Sequence, residues 1–271
     1  MEAKNLLKEY GLKPSKGLGQ HFLIGQGVLK KIIQTAGLKT TDVVLEIGPG
    51  LGILTRELAK MVKKVIAVEK DQRLCRILER ELKNFKNLKI IQDDILKSNI
   101  QYPISNIQYK IVANLPYYIT SPVIRKFLEM QNQPKLMVLM VQKEVAQRIC
   151  SKPPRMSLLA VAVQFYAKPE IVSYVSKNCF WPEPKVDSAI IKITPINANK
   201  NANPRKFFKI VRAGFSHPRK QLINNFSQGL KIEKKEIKKW LQKNKINPKQ
   251  RAETLNIKDW MRLTKTIENY E

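Results

Sequence analysis

Between residues 43 and 141, short runs of aliphatic and β-branched residues alternate with segments of helical spacing, and this alternation constrains the fold more than any other feature of the chain. Val43–Ile47 is such a run and ends in a glycine cluster; Leu51–Met61 then carries apolar residues at the 3.6-residue period. Lys64–Glu69 predicts a second strand and Gln72–Lys83 a second helix. A third strand is predicted over Leu88–Gln92, and a fourth over Lys110–Ala113, ending at Asn114. Ser121–Met130 follows as a helix, with Pro122 tolerated in its first turn. Lys135–Val141 is predicted as a fifth strand, apolar from Leu136 onward and so expected to be buried on both faces. Strands and helices in this order predict βαβ units around a parallel sheet.

The flanks read differently. Lys13–Leu23 is a lead too broken by glycine for a helix, and Val28–Ala36 is amphipathic. After a helix over Leu158–Tyr166, the runs Ile171–Val175 and Ala189–Ile193 predict an antiparallel finish to the sheet. Residues 197–204, Asn-Ala-Asn-Lys-Asn-Ala-Asn-Pro, are polar, low in complexity and closed by proline, which reads as a linker. Beyond it only helical patterns remain, over Phe207–Phe215, Glu233–Lys243 and Asp259–Ile267. The expected organisation is therefore an α/β domain over 1–196, a linker over 197–204 and a small helical domain over 205–271.

Charge narrows the class of partner. Fifty Lys and Arg face 22 Asp and Glu, a net charge of +28. Residues 191–271 hold 20 of the cations against 6 acids, about twice the basic density of the rest. A polyanion such as a phosphate backbone offsets an excess of this kind. Against a membrane partner, the longest apolar stretches fall far short of the ~20 residues that a spanning helix needs. No apolar region follows Met1, so no secretory signal is expected. Cys75, Cys150 and Cys179 are odd in number and widely spaced, which suits a reducing compartment and a cytoplasmic protein. The two histidines, His21 and His217, stand apart from any cysteine pair, and no metal site is expected.

Four features at successive strand ends carry chemistry. Val44–Gly52 reads strand, glycine loop, helix, with the spacing G-x-G-x-G at Gly48, Gly50 and Gly52. Such a loop lets the backbone approach a ligand, although by itself it is weak evidence, since a tight βα turn also uses glycine. Glu69 closes the second strand, where a carboxylate can accept hydrogen bonds from ribose hydroxyls. Asp94 follows the third strand and can accept from an adenine amino group; the adjacent Asp93 leaves open which acid does so. After the fourth strand comes Asn114-Leu115-Pro116-Tyr117. The exocyclic amine of adenine is a poor nucleophile because its lone pair is delocalised into the ring. The Asn114 side-chain carbonyl and the Leu115 backbone carbonyl can accept hydrogen bonds from its two N–H groups, localise the lone pair and aim it at a methyl sulfonium. Pro116 fixes φ, and Tyr117 offers a face on which an extruded base stacks.

These residues resemble the ribosomal RNA adenine dimethyltransferases of the KsgA/RsmA (Dim) type, along nearly the whole chain. Gly17–Leu23 is similar to their N-terminal cofactor motif, Leu45–Gly52 to their glycine loop, and Phe180–Ser188 to their F-x-P-x-P-x-V-x-S segment. Phe215–Leu222 and Arg251–Leu255 resemble parts of their C-terminal domain. The resemblance implies a Rossmann-like class I methyltransferase sheet with a small basic C-terminal helical domain that contacts RNA. It implies that His21, Leu23, Gly48, Glu69, Asp94 and Asn114 contact S-adenosylmethionine, and that Tyr117 and Phe180 sandwich the target adenine. The implied substrate is a pair of adjacent adenines in a hairpin near the 3′ end of small-subunit (16S) rRNA, each methylated twice, on an immature 30S subunit late in assembly. A monomeric enzyme is expected. His21 departs from the pattern, since many members carry Asn there. The alternatives are an Erm-type methyltransferase acting on 23S rRNA and a non-enzymatic assembly factor; the intact Glu69 and Asn114 argue against the second.

Overall fold

The computed structural model describes residues 2–15, 17–98, 104, 107–196 and 202–267. The strands are β1 (Phe22–Leu23), β2 (Val43–Ile47), β3 (Lys64–Glu69), β4 (Leu88–Gln92), β5 (Tyr109–Asn114), β6 (Leu136–Gln142), β7 (Ala167–Val175), β8 (Phe180–Trp181) and β9 (Ser188–Pro195). The helices are α1 (Glu2–Glu9), α2 (Gln26–Ala36), α3 (Ile53–Met61), α4 (Gln72–Glu81), α5 (Thr120–Glu129), α6 (Lys143–Ile149), α7 (Leu158–Tyr166), α8 (Pro204–Gly214), α9 (Leu222–Leu230), α10 (Lys234–Lys243) and α11 (Ile257–Thr266).

Seven strands form one sheet in the order β4-β3-β2-β5-β6-β9-β7, and β1 pairs with β8 in a separate antiparallel ribbon. From β4 to β6 the neighbours are parallel, and β9 lies antiparallel on β6. The five residues of β2 are all buried, which suits a central strand covered on both faces. On one face Val44, Val65, Val112, Val138 and Ile190 pack with Leu29 and Ile32 of α2 and Leu54 and Leu58 of α3. Their sequence neighbours Leu45, Ile66, Ile111 and Leu139 are also buried, as are Leu74 and Leu78 of α4 and Val123 and Phe127 of α5. Removing one such side chain from water stabilises the fold by about 1.5–3 kcal/mol. The doubly covered, Rossmann-like sheet is the architecture that the strand–helix alternation predicts.

Packing divides the described chain into two units: residues 1–146 with 169–195, and residues 147–168 with 196–271. The sequence reading kept all of 1–196 together, whereas 147–168, including α7, pack with the C-terminal helices. The reason lies in Met156, Ala160, Val161 and Phe165, which join the same buried cluster as Phe207, Phe226 and Trp260. Phe165 stands 4.2 Å from Phe207, ring centre to ring centre. Linker residues 197–201 lie outside the described residues. No helix among the described residues is long and apolar enough to cross a membrane, and no cluster of three or more His, Cys, Asp or Glu among them could hold a metal ion.

Candidate active site

The sheet changes direction at β2, which has β3 on one side and β5 on the other. The loops that leave β2 and β5 therefore part company at the carboxyl edge and open a crevice there. A cavity of about 280 Å³ occupies it. His21, Leu23, Gly48, Glu69, Asp94, Asn114, Leu115 and Tyr117 all line this cavity; Phe180 does not.

The glycine loop is shaped by the need for positive φ. Gly48 and Gly50 have φ of 66° and 61°, where a side chain is strained. Space is short as well. A Cβ on Gly48 would stand 3.3 Å from Pro116, and one on Gly50 would stand 3.2 Å from the ring of Phe22. The loop is thus pressed between the tetrapeptide and β1, with its backbone facing the cavity.

Glu69 ends β3 and is 7% exposed. Its Oε1 accepts from the backbone N–H groups of Lys70 (2.8 Å) and Asp71 (2.9 Å), and its Oε2 from that of Gly50 (3.1 Å). Burial raises its pKa above the usual carboxylate value, and these three bonds oppose the rise. Asp94 is more open. Lys70 Nζ donates to its Oδ2 at 3.0 Å and Leu96 N to its Oδ1 at 3.0 Å, and the Lys70 bond lowers its pKa. Lys126 of α5 supports the turn behind Asp94 by donating to the carbonyls of Ile95 (2.7 Å) and Ser98 (2.8 Å). Asp93 lines the cavity too, so the structure brings both acids to the site.

Asn114 ends β5. Its Nδ2 donates to the His21 carbonyl at 3.3 Å, which leaves Oδ1 as the atom able to accept a hydrogen bond. Leu115 is buried and donates its N–H to Met140 O at 3.2 Å, tying the tetrapeptide to β6. Pro116 has φ −55° and ψ 131°, and a single 3₁₀ turn, Tyr117–Ile119, follows. The Tyr117 hydroxyl meets Ser188 Oγ at 2.8 Å. Its ring lies against His21, with centroids 5.9 Å apart and planes 22° from parallel. His21 Nδ1 is 2.7 Å from Pro182 O. A carbonyl only accepts, so this nitrogen carries a proton. Phe180 is 3% exposed in the core, paired in register with Leu23 of β1. The ring next to Tyr117 is therefore His21, a pairing that sequence order could not reveal.

Glu46 escaped the sequence reading as a site residue. It lines the cavity and is 1% exposed, and burial pushes its pKa up to about 8. The signal was present, because it is the one charged residue in the buried run Val43–Ile47.

Comparison with known proteins supplies the remaining observation. The sequence profile described as ribosomal RNA adenine dimethylase matches residues 11–269. The chain belongs to the ribosomal RNA adenine dimethylase family. A relative from Dehalococcoides mccartyi, named ribosomal RNA small subunit methyltransferase A, is 48% identical over 97% of this chain and 91% of its own length. One of the same name from Clostridium botulinum is 39% identical over 98% of each. Among solved structures, a dimethyladenosine transferase from Plasmodium falciparum superposes with a TM-score of 0.76 at 31% identity, over 90% of this chain and 96% of the other. The 23S rRNA methyltransferase ErmE superposes with a TM-score of 0.74 at 26% identity, over 90% of this chain and 98% of its own. As a ribosomal RNA adenine dimethylase the chain is a methyltransferase, and its sheet is that of class I methyltransferases.

Proposed function

We propose that the protein transfers methyl groups from S-adenosylmethionine to the N6 amines of two adjacent adenines in a hairpin near the 3′ end of small-subunit rRNA, giving N6,N6-dimethyladenosines on immature 30S subunits late in assembly. The observation that carries this reading is the convergence of the glycine loop, Glu69, Asp94 and Asn114–Tyr117 on one cavity at the switch of the sheet. The relatives named for the small subunit support the choice of substrate over the 23S alternative.

The residues fit the cofactor. At Gly48 and Gly50 a side chain would be strained by the positive φ and crowded by Pro116 and Phe22, so the loop stays bare backbone where it lines the cavity. A carboxylate offers about four acceptor sites; backbone N–H groups use three on Glu69. The remaining capacity suits a ribose hydroxyl. Asp93 or Asp94 would accept from the adenine amino group, while His21, Leu23, Gly48 and Asn114 complete the contact set. When bound, the cofactor supplies an electrophilic methyl group on a positively charged sulfur.

The chain's own residues do the rest. Asn114 Oδ1 and Leu115 O accept hydrogen bonds from the two N–H groups of the target amine and hold its lone pair out of the ring; the nitrogen–methyl bond forms as the methyl–sulfur bond breaks, and the methylated amine then releases one proton to water. A monomethylated amine keeps one proton, so one of these acceptors still orients it for the second transfer. Tyr117 gives the base a stacking face, whereas Phe180 lies buried in the core outside the cavity. Positioning of this kind supplies a large share of the rate, because the methyl donor is already reactive. The basic helical unit contacts the rRNA backbone.

Removing the Glu69 acceptor set tests the cofactor assignment. Glu69→Ala is expected to weaken S-adenosylmethionine binding about 100-fold, the equivalent of a charge-assisted hydrogen bond or two. Affinity for small-subunit RNA should stay near the parent value. Titration calorimetry and filter binding read the two separately, and an unchanged cofactor affinity would contradict the assignment.

A further inference from the structure

Ser188 is a polar side chain with 0% exposure, and its place in the sheet is unusual. It is the first residue of β9 and pairs with Gln142, the last residue of β6. Because β9 runs antiparallel to β6, its start lies at the carboxyl edge of the parallel strands. That is the edge from which the Asn114 tetrapeptide departs. Ser188 Oγ meets the Tyr117 hydroxyl there at 2.8 Å, across 71 residues of sequence. The neighbouring residue is held on two sides: Lys143 N donates to Asp187 O at 3.0 Å, and Lys177 N to Asp187 Oδ1 at 3.2 Å. The serine hydroxyl is thus a fixed point.

A phenylalanine at 117 would offer the same stacking face as tyrosine, so the hydroxyl adds something other than area. The backbone of Tyr117 is set by the 3₁₀ turn. Anchoring the far end of the ring at Oη fixes the ring axis. The phenolic O–H also lies in the ring plane through conjugation, so a directional hydrogen bond at that end restrains the tilt. We propose that Ser188 is a positioning residue for methyl transfer, holding the tilt of the Tyr117 ring on which the target adenine stacks and so the alignment of N6 with the methyl donor. The inference rests on the reading of Tyr117 as the stacking residue.

A kinetic cycle on intact protein with undermethylated 30S subunits tests it, using Ser188→Ala, Tyr117→Phe and the double variant. Each single change removes the same bond and is expected to lower kcat about 5- to 20-fold, since small misplacements of reacting groups are costly. The double variant should be no slower than the worse single one, because both act through one contact. Affinity for S-adenosylmethionine should not move. A wild-type kcat for Tyr117→Phe, or losses that multiply in the double variant, would overturn the proposal. Should Ser188→Ala fail to fold, Tyr117→Phe decides alone, because it breaks the bond from the less buried side. Tyr117→Ala separates this proposal from the reading beneath it. If Tyr117→Ala is inactive while Tyr117→Phe is unimpaired, the stacking role stands and the positioning role falls. If Tyr117→Ala retains full activity, the stacking role itself is wrong.

Discussion

Glu46 shows how much one residue can set against its surroundings. Its four partners in β2 are apolar, it is 1% exposed, and its Oε2 finds no hydrogen-bond partner. Burial pushes its pKa from 4.5 to about 8; the Thr55 hydroxyl pulls it down and the charge on Glu69 pushes it further up. Between those two values the folded protein keeps a proton that the unfolded chain gives up. The folded state thus binds more protons there, and stability falls as pH rises through the window. Glu46→Gln removes this penalty. Its thermal midpoint relative to the parent is expected to climb between pH 5 and pH 8, by about 5 °C. A difference that stays constant with pH would contradict the buried, protonated carboxyl. At this scale the sequence was informative wherever position along a strand decides: Glu69, Asp94 and Asn114 were legible as strand-end residues. The contacts of Tyr117 with His21 and Ser188 were not, because they join residues 96 and 71 positions apart through the fold. Those contacts depend on where β1 and β9 end up, which no local pattern encodes.

Among the elements, the strands of the parallel sheet were readable because each is a bounded apolar run. Helix α9 was not. Its sequence, Leu-Ile-Asn-Asn-Phe-Ser-Gln-Gly-Leu, contains residues that favour turns over helix. Tertiary packing overrides that preference. Leu222, Asn225 and Phe226 are buried, and Asn225 Nδ2 donates to the carbonyls of Gly214 (2.6 Å) and His217 (3.0 Å). Gly229 is needed where α9 crosses α8, since a Cβ there would lie 2.9 Å from that of Ala213. The ribbon of β1 and β8 also went unread, because two residues carry no measurable alternation. Helix α9 ends on Lys231, whose φ of 57° is left-handed and whose N–H donates to Ser227 O. A lysine at that C-cap is strained in a conformation that glycine adopts freely. Lys231→Gly is expected to stabilise the protein by about 0.5–1 kcal/mol. The gain should appear as a higher urea midpoint at unchanged m-value, and a lower midpoint would contradict the strain.

For the whole molecule, the charge of +28 and the site make one argument. On the proposed reading, a cavity that holds a nucleoside cofactor beside hydrogen-bond acceptors for an amine sits in a chain whose surplus of Lys and Arg suits a phosphate backbone. The polar stretch at 197–204 marks a linker in the sequence, and the described chain packs as two units. The membership of 147–168 was not legible, because α7 is apolar almost throughout and its pattern does not say which core it joins. Only the shared cluster with Phe207 and Trp260 assigns it. The most direct measurement incubates the protein with labelled S-adenosylmethionine and undermethylated ribosomal subunits, offered separately, and maps the labelled bases. The account predicts N6,N6-dimethyladenosine at two adjacent adenines near the 3′ end of the small-subunit RNA. Label confined to the large-subunit RNA, or no transfer to either, would contradict it.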